Sequence, residues 1–149
     1  MSVENFKNLH HQSTPLLIAN VWDAVNAQAA EKSGFTVIGT SSHAIANMLG
    51  YEDGQNIPFD EMLYIIERIK KSVSIEVSAD IESGFTEDLN QLNQYIEKLV
   101  DIGIVGINLE DGNTDEKSRI LSDSSILESK IKSIKNHLKS KGKDIFINA

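Results

Sequence analysis

Three carboxylates stand where two apolar runs end. The run from Ser74 to Ile81 carries Asp80, with Glu82 just past its end, and the run from Val105 to Leu109 is closed by Glu110. Both runs read as strands. Residues two apart on a strand point to one side, so Asp80 and Glu82 are expected to face the same way. Strands consecutive in the chain are commonly neighbours in space, which would bring Glu110 toward that pair. Converging carboxylates repel unless something positive joins them. An oxygen-only ligand set suits Mg2+ or Mn2+, with waters filling the remaining octahedral positions. The same acids would also serve as solvated strand ends or helix caps. Asp111 precedes Gly112 and reads as a turn residue.

A second polar group, Ser41, Ser42 and His43, follows the apolar run Thr36 to Thr40. Its backbone N–H groups could receive an anion at the start of a short helix, or the segment could be a plain N-cap. His43 could act as a general acid, although a single His at a loop start is more often packed or solvated. Trp22, after the run Leu16 to Val21, could line a pocket mouth or fill the core. His10, His11 and His137 read as helix-surface residues.

The elements that must position these groups alternate. Strands are expected at Leu16 to Val21, Thr36 to Thr40, Ser74 to Ile81, Val105 to Glu110 and Asp144 to Ala149. Between them lie helical patterns. One starts at Asp23 as N-cap and stops at Gly34, and a short one lies within Ser41 to Gly54. The next opens at Pro58, with Met62, Ile66 and Ile69 on one face. Another is capped by Thr86, with Glu87 and Asp88 in its first turn, and is striped by Leu89, Leu92, Ile96 and Leu99 up to Gly103. The last has Ser125 and Glu128 at capping-box spacing and a stripe of Leu127, Ile131, Ile134 and Leu138. A further helix is expected near Val3 to His11. Strand–helix alternation with short links implies parallel strands and right-handed crossovers, either an open doubly wound sheet or a (β/α)8 barrel. In both, ligands bind at the carboxyl ends of the strands, where the acids lie.

Composition narrows the chemistry. The chain has 149 residues and no cysteine, which excludes disulfides, thiolate metal sites and cysteine nucleophiles. A formal charge of −8 argues against nucleic acid as a partner. Lysines concentrate after Asn113, and that stretch reads as the solvated side of one helix. No run approaches the ~20 apolar residues of a membrane helix. Met1 to Ser13 lacks the plan of a signal peptide, so a cytoplasmic location without membrane contact is expected.

Taken in order, Asn20-Val21-Trp22-Asp23-Ala24, Thr40-Ser41-Ser42, Leu49-Gly50-Tyr51-Glu52-Asp53-Gly54, Ala79-Asp80-Ile81-Glu82-Ser83-Gly84-Phe85 and Gly106-Ile107-Asn108-Leu109-Glu110-Asp111 resemble the motif series of the isocitrate lyase/phosphoenolpyruvate mutase superfamily. The likeness runs from about residue 6 to 149. It implies an α/β fold of the (β/α)8 TIM-barrel type, with residues 1–149 as the front part of a single barrel domain: four β/α units and strand five. It further implies Mg2+ or Mn2+ held by Asp80, Glu82 and Glu110, a catalytic role for Asp53, and substrate contacts from Ser41, Ser42, His43 and Trp22. The expected reaction makes or breaks a C–C or P–C bond of a small 2-oxo or malate-like acid, through an enolate-like intermediate. A homo-oligomer is expected of the full-length form.

The departures are specific. Isocitrate and methylisocitrate lyases carry a lysine-lysine-cysteine-glycine-histidine loop after strand four; Asn113 to Leu121 has nothing like it, so those two activities are not expected. The mutase lysine that follows the glutamate–aspartate pair is replaced by Gly112. The active-site arginine of relatives would come directly after Asn148-Ala149. Four β/α units and a bare strand do not close a barrel, so a fragment, or a barrel completed by another chain, is expected, with Ile18 and Ile147 among its inward side chains. The competing readings are a non-catalytic remnant with binding capacity only, and an open sheet with an unrelated anion site.

Overall fold

A computed structural model describes residues 3–114 and 119–149. Residues 115–118, within the stretch Asn113 to Leu121, and the first two residues of Met1 to Ser13 lie outside the described residues. In chain order the elements are α1 (Val3–Leu9), β1 (Ala19–Val21), α2 (Ala24–Lys32), β2 (Val37–Thr40), α3 (Ser42–Met48), α4 (Phe59–Ser72) and β3 (Glu76–Asp80). They continue with α5 (Leu89–Asp101), β4 (Gly106–Asn108), β5 (Gly112–Thr114), β6 (Arg119–Leu121), α6 (Ser124–Ser140) and β7 (Phe146–Asn148). Strands β1-β2-β3-β4-β7 form one parallel sheet in that order. This is the order of the first four β/α units and the fifth strand of a (β/α)8 barrel. Strands β5 and β6 pair antiparallel as a separate two-stranded sheet, in a segment to which the sequence pattern assigned no strand.

The two-residue period of the strands separates two cores. Ile38, Val77, Ala79 and Ile107 face the helices and pack with Ala27, Met62, Ile66, Leu92, Ile96, Ile134 and Leu138. Helix α4 buries Met62, Ile66 and Ile69 completely, each worth roughly 1.5–3 kcal/mol. The opposite face carries Glu76, Ser78 and Asp80 along β3. Low on that face α1 inserts Phe6, which packs with Val37 and Val105. Gly106 makes this possible: a Cβ there would lie 2.6 Å from Phe6 Cε1 and 3.0 Å from Ser78 Oγ.

Several expected details differ. Ile18 packs near Phe6, but Ile147 packs against the helix-side core, and Phe146 takes the Phe6 side. Both residues are apolar, so alternation alone does not set their parity. Helix α5 is capped by Asp88, not Thr86; its carboxylate accepts from Asn90 N at 2.8 Å and Gln91 N at 3.4 Å. Helix α6 is capped by Asp123, which accepts from Ser125 N at 2.9 Å, and Glu128 pairs with Lys132 instead of closing a capping box. His10 stacks on Phe146, with ring centroids 4.5 Å apart.

Helices α5 and α6 are clamped near their carboxyl ends. Glu97 accepts from Lys141 at 2.6 Å, His137 at 3.0 Å and Lys143 at 3.0 Å, and Lys143 also reaches Asp101. The Lys141 bond first, then those of His137 and Lys143, hold the Glu97 carboxyl down at about 2, from an ordinary 4.5. The unfolded chain therefore takes up a proton at Glu97 before the folded chain does. The stabilisation is complete above about pH 4.5 and is lost as pH falls toward about 2. Glu97→Gln should lower stability at neutral pH and flatten its pH dependence across that window. Urea titrations at several pH values would test this, and parallel pH curves for the two proteins would contradict it.

Candidate active site

The acids lie at the carboxyl ends of β3 and β4, on the rim where the topology puts ligands. Asp80 pairs in register with Asn108, and Asn108 with Asn148. Beyond the strand ends, Glu110 N donates to Glu82 O at 2.7 Å, so the two glutamates are tied through the backbone.

Asp80 is held by several donors. Ser42 donates to its Oδ2 from the hydroxyl at 2.6 Å and from the backbone N–H at 3.2 Å. Its Oδ1 accepts from Glu82 N at 3.2 Å, and its own N–H donates to Thr40 Oγ1 at 2.9 Å. Donors fixed on an acidic oxygen define where its remaining lone pairs point.

Glu82 does not continue the alternation. Its φ is 50°, in the left-handed region that non-glycine residues rarely enter, and its side chain is buried while Glu110 is exposed. The three acids share a rim, and among the described residues no group of three His, Asp or Glu side chains is already gathered into a metal-ready cluster. The donor set still fits a hard cation. Mg2+ is commonly bound through one or two carboxylates and several waters, and Asp80 is a half-buried, pre-oriented carboxylate of that kind.

The expected anion cradle is also modified. Ser41 N donates to Val21 O at 3.0 Å, and its hydroxyl caps α3 by accepting from Ala44 N at 3.3 Å. Ser42 is directed to Asp80. Two of the three N–H groups are thus engaged within the chain. His43 Nδ1 lies 3.2 Å from Asp53 Oδ2, and His43 Nε2 is 2.8 Å from Asn47 Nδ2. The fold therefore joins Ser42 with Asp80 and His43 with Asp53, which lie far apart in sequence or in separate elements. Trp22 follows β1 at the same rim, 38% exposed.

Beside Glu110 a cavity of about 430 Å3 opens, lined by Asn108, Glu110, Asp111, Ile120, Leu127 and Asn148 among others. Asn108 and Asn148 are hydrogen-bonded across the strands at 3.0 Å. Sequence reasoning did not single out this carboxamide pair, although the matching positions of both residues before strand ends were a usable signal.

It also missed two residues that hold the Glu82 turn. Gln55 donates to Ser83 Oγ at 2.7 Å and accepts from Phe85 N at 2.5 Å. Lys130, read as part of a solvated basic face, is buried, with Nζ 2.9 Å from Ser83 O and 3.1 Å from Glu87. No helix among the described residues is long and apolar enough to cross a membrane.

Known proteins extend this picture. The chain is 30% identical over 145 residues to an uncharacterized protein of Mycobacterium tuberculosis strain H37Rv, covering 97% of this chain and 52% of that protein. It is 29% identical over 121 residues to oxaloacetate decarboxylase 2 of Pseudomonas fluorescens, covering 78% and 41%. A Burkholderia cenocepacia crystal structure, named as a candidate phosphonomutase, superposes with a TM-score of 0.91 at 30% identity, over 99% of this chain and 59% of that one. The chain spans about half the length of the curated relatives it matches most fully. Residues 6–149 match the family model described as phosphoenolpyruvate phosphomutase, and the chain belongs to that family, within the phosphoenolpyruvate mutase/isocitrate lyase superfamily.

Proposed function

We propose that this chain carries the metal-binding and carboxylate-facing part of a lyase or decarboxylase site. The substrate is a small 2-oxo or malate-like acid, and a C–C or P–C bond next to its carboxylate is cleaved through an enolate-like intermediate. The observation that most supports the reading is Asp80: a half-buried carboxylate at the strand-end rim, oriented by two donors from Ser42.

Asp80, Glu82 and Glu110 would hold Mg2+ or Mn2+. When bound, the cation supplies positive charge where the substrate oxygen becomes negative, stabilising the transition state more than the ground state. Ser42 keeps Asp80 aimed. The Ser41 to His43 turn and Trp22 would bound the substrate carboxylate. Asp53, oriented by His43 at 3.2 Å, would be the catalytic residue at the reacting end. The whole protein is proposed to be a single-barrel-domain, cytoplasmic homo-oligomer with no nucleic-acid or membrane partner. The reaction class alone is supported by the decarboxylase name of one relative and the phosphomutase description of the family.

The test is direct. The whole protein is incubated with oxaloacetate, a 2-alkylmalate or phosphonopyruvate, with Mg2+ or with excess chelator, and products are followed by NMR. Mg2+-dependent cleavage of one of them is expected. Turnover unaffected by chelator would contradict the metal reading. Metal binding without turnover of any would favour the binding-only remnant.

A further inference from the structure

Lys130 lies on the buried face of α6, three residues after Leu127 and four before Ile134. It is 4% exposed and the only buried lysine or arginine among the described residues. A desolvated ammonium is costly unless it is hydrogen-bonded. Its buried partner is the Ser83 carbonyl at 2.9 Å; the other, Glu87 at 3.1 Å, is 67% exposed. The apolar stripe of α6 therefore tolerates a charge where that charge meets one particular turn.

That turn needs support. Glu82, Gly84 and Phe85 have φ values of 50°, 105° and 61°. Two of these are non-glycine residues in the left-handed region, which persists only where surroundings impose it. Gly84 N donates to Ile81 O at 2.8 Å, Gln55 grips Ser83 and Phe85, and Lys130 holds the Ser83 carbonyl from behind. Lys130 and Glu110 also line one small cleft, together with Ser83, Glu87 and Asp111. A fixed positive charge thus stands on the helix side of the acidic rim.

We propose that Lys130 is a positioning residue: through the Ser83 carbonyl it locks the Glu82–Phe85 turn and thereby sets the affinity of the rim for a divalent cation. The second half rests on the proposed function above; the first does not.

The test compares the unaltered chain with Lys130→Met, Lys130→Arg and Glu87→Gln. Backbone amide hydrogen exchange is measured without metal, and Mn2+ affinity by electron paramagnetic resonance. In Lys130→Met the Gly84 and Phe85 amides, which are hydrogen-bonded within the turn, should exchange about tenfold faster or more, while those of Val77 to Ala79 stay unchanged. Mn2+ affinity should fall about 10–100-fold, as when a partner behind a metal ligand is lost. Lys130→Arg should recover most of both effects. Should Lys130→Met not fold, Glu87→Gln carries the test: it leaves the Ser83 bond in place, so exchange should stay slow, and a turn loosened by it would overturn the assignment to the carbonyl. Unchanged exchange in Lys130→Met would overturn the lock. Faster exchange with unchanged Mn2+ affinity would overturn its link to the metal. Faster exchange in a protein whose unaltered form binds no Mn2+ would uphold the lock and sink the metal reading instead.

Discussion

Asp80→Asn should lower kcat/KM by about 1,000-fold or more, the several kcal/mol of transition-state charge stabilisation expected of a metal that has lost its anchoring ligand. The substitution is nearly isosteric. Its amide oxygen can still accept from the Ser42 hydroxyl, and the Asp80 N–H to Thr40 Oγ1 bond belongs to the backbone. The fold should survive, with a thermal transition close to that of the unaltered protein. Steady-state kinetics on whichever 2-oxo or malate-like acid is turned over, beside a melt, separates the two effects. A loss smaller than tenfold would place the chemistry elsewhere than on Asp80.

The largest effect on stability is expected from Phe6→Ala. The ring is 1% exposed, meets Phe146 edge-on at 5.3 Å and His10 at 4.6 Å, and fills the space left open by Gly106. Removing it strips the centre of the smaller core, and β4 has no side chain at Gly106 with which to refill it. A loss of about 3–5 kcal/mol is expected. That is a large share of the ~5–15 kcal/mol margin of a typical domain. Urea unfolding should show a lower midpoint with a similar slope. A loss near 1 kcal/mol would mean that α1 lies on the sheet without holding it.

What was legible in the sequence has local causes. The strand–helix alternation is written in side-chain period, so the parallel order β1-β2-β3-β4-β7 and the rim position of Asp80, Glu82 and Glu110 followed from short segments read in turn. Asp23 and Gly34 marked the ends of α2 because capping and left-handed turns depend on residue type alone. What was not legible depends on contacts between distant segments. Glu82 leaves the strand alternation because Gln55 and Lys130, from two other parts of the chain, hold the turn that follows it. Lys130 looked like one more lysine of a basic helix until the packing of α6 turned it inward. Thr86 and Asp88 are both competent caps two residues apart, and only the path of the chain from β3 selects Asp88. The Ser41–Ser42 segment reads equally as an anion cradle or a plain N-cap; Ser41 caps α3, and the Ser42 bond to Asp80 joins segments too far apart for any local pattern to show.

We propose that this acidic rim binds one divalent cation through Asp80. A Mn2+ titration of the unaltered protein and of Asp80→Asn, with free Mn2+ followed by electron paramagnetic resonance, tests it most directly. A single saturable site that Mg2+ displaces is expected, weakened by about 100-fold or more in Asp80→Asn. Absence of saturable binding in the unaltered protein, or equal affinity in the two proteins, would contradict it.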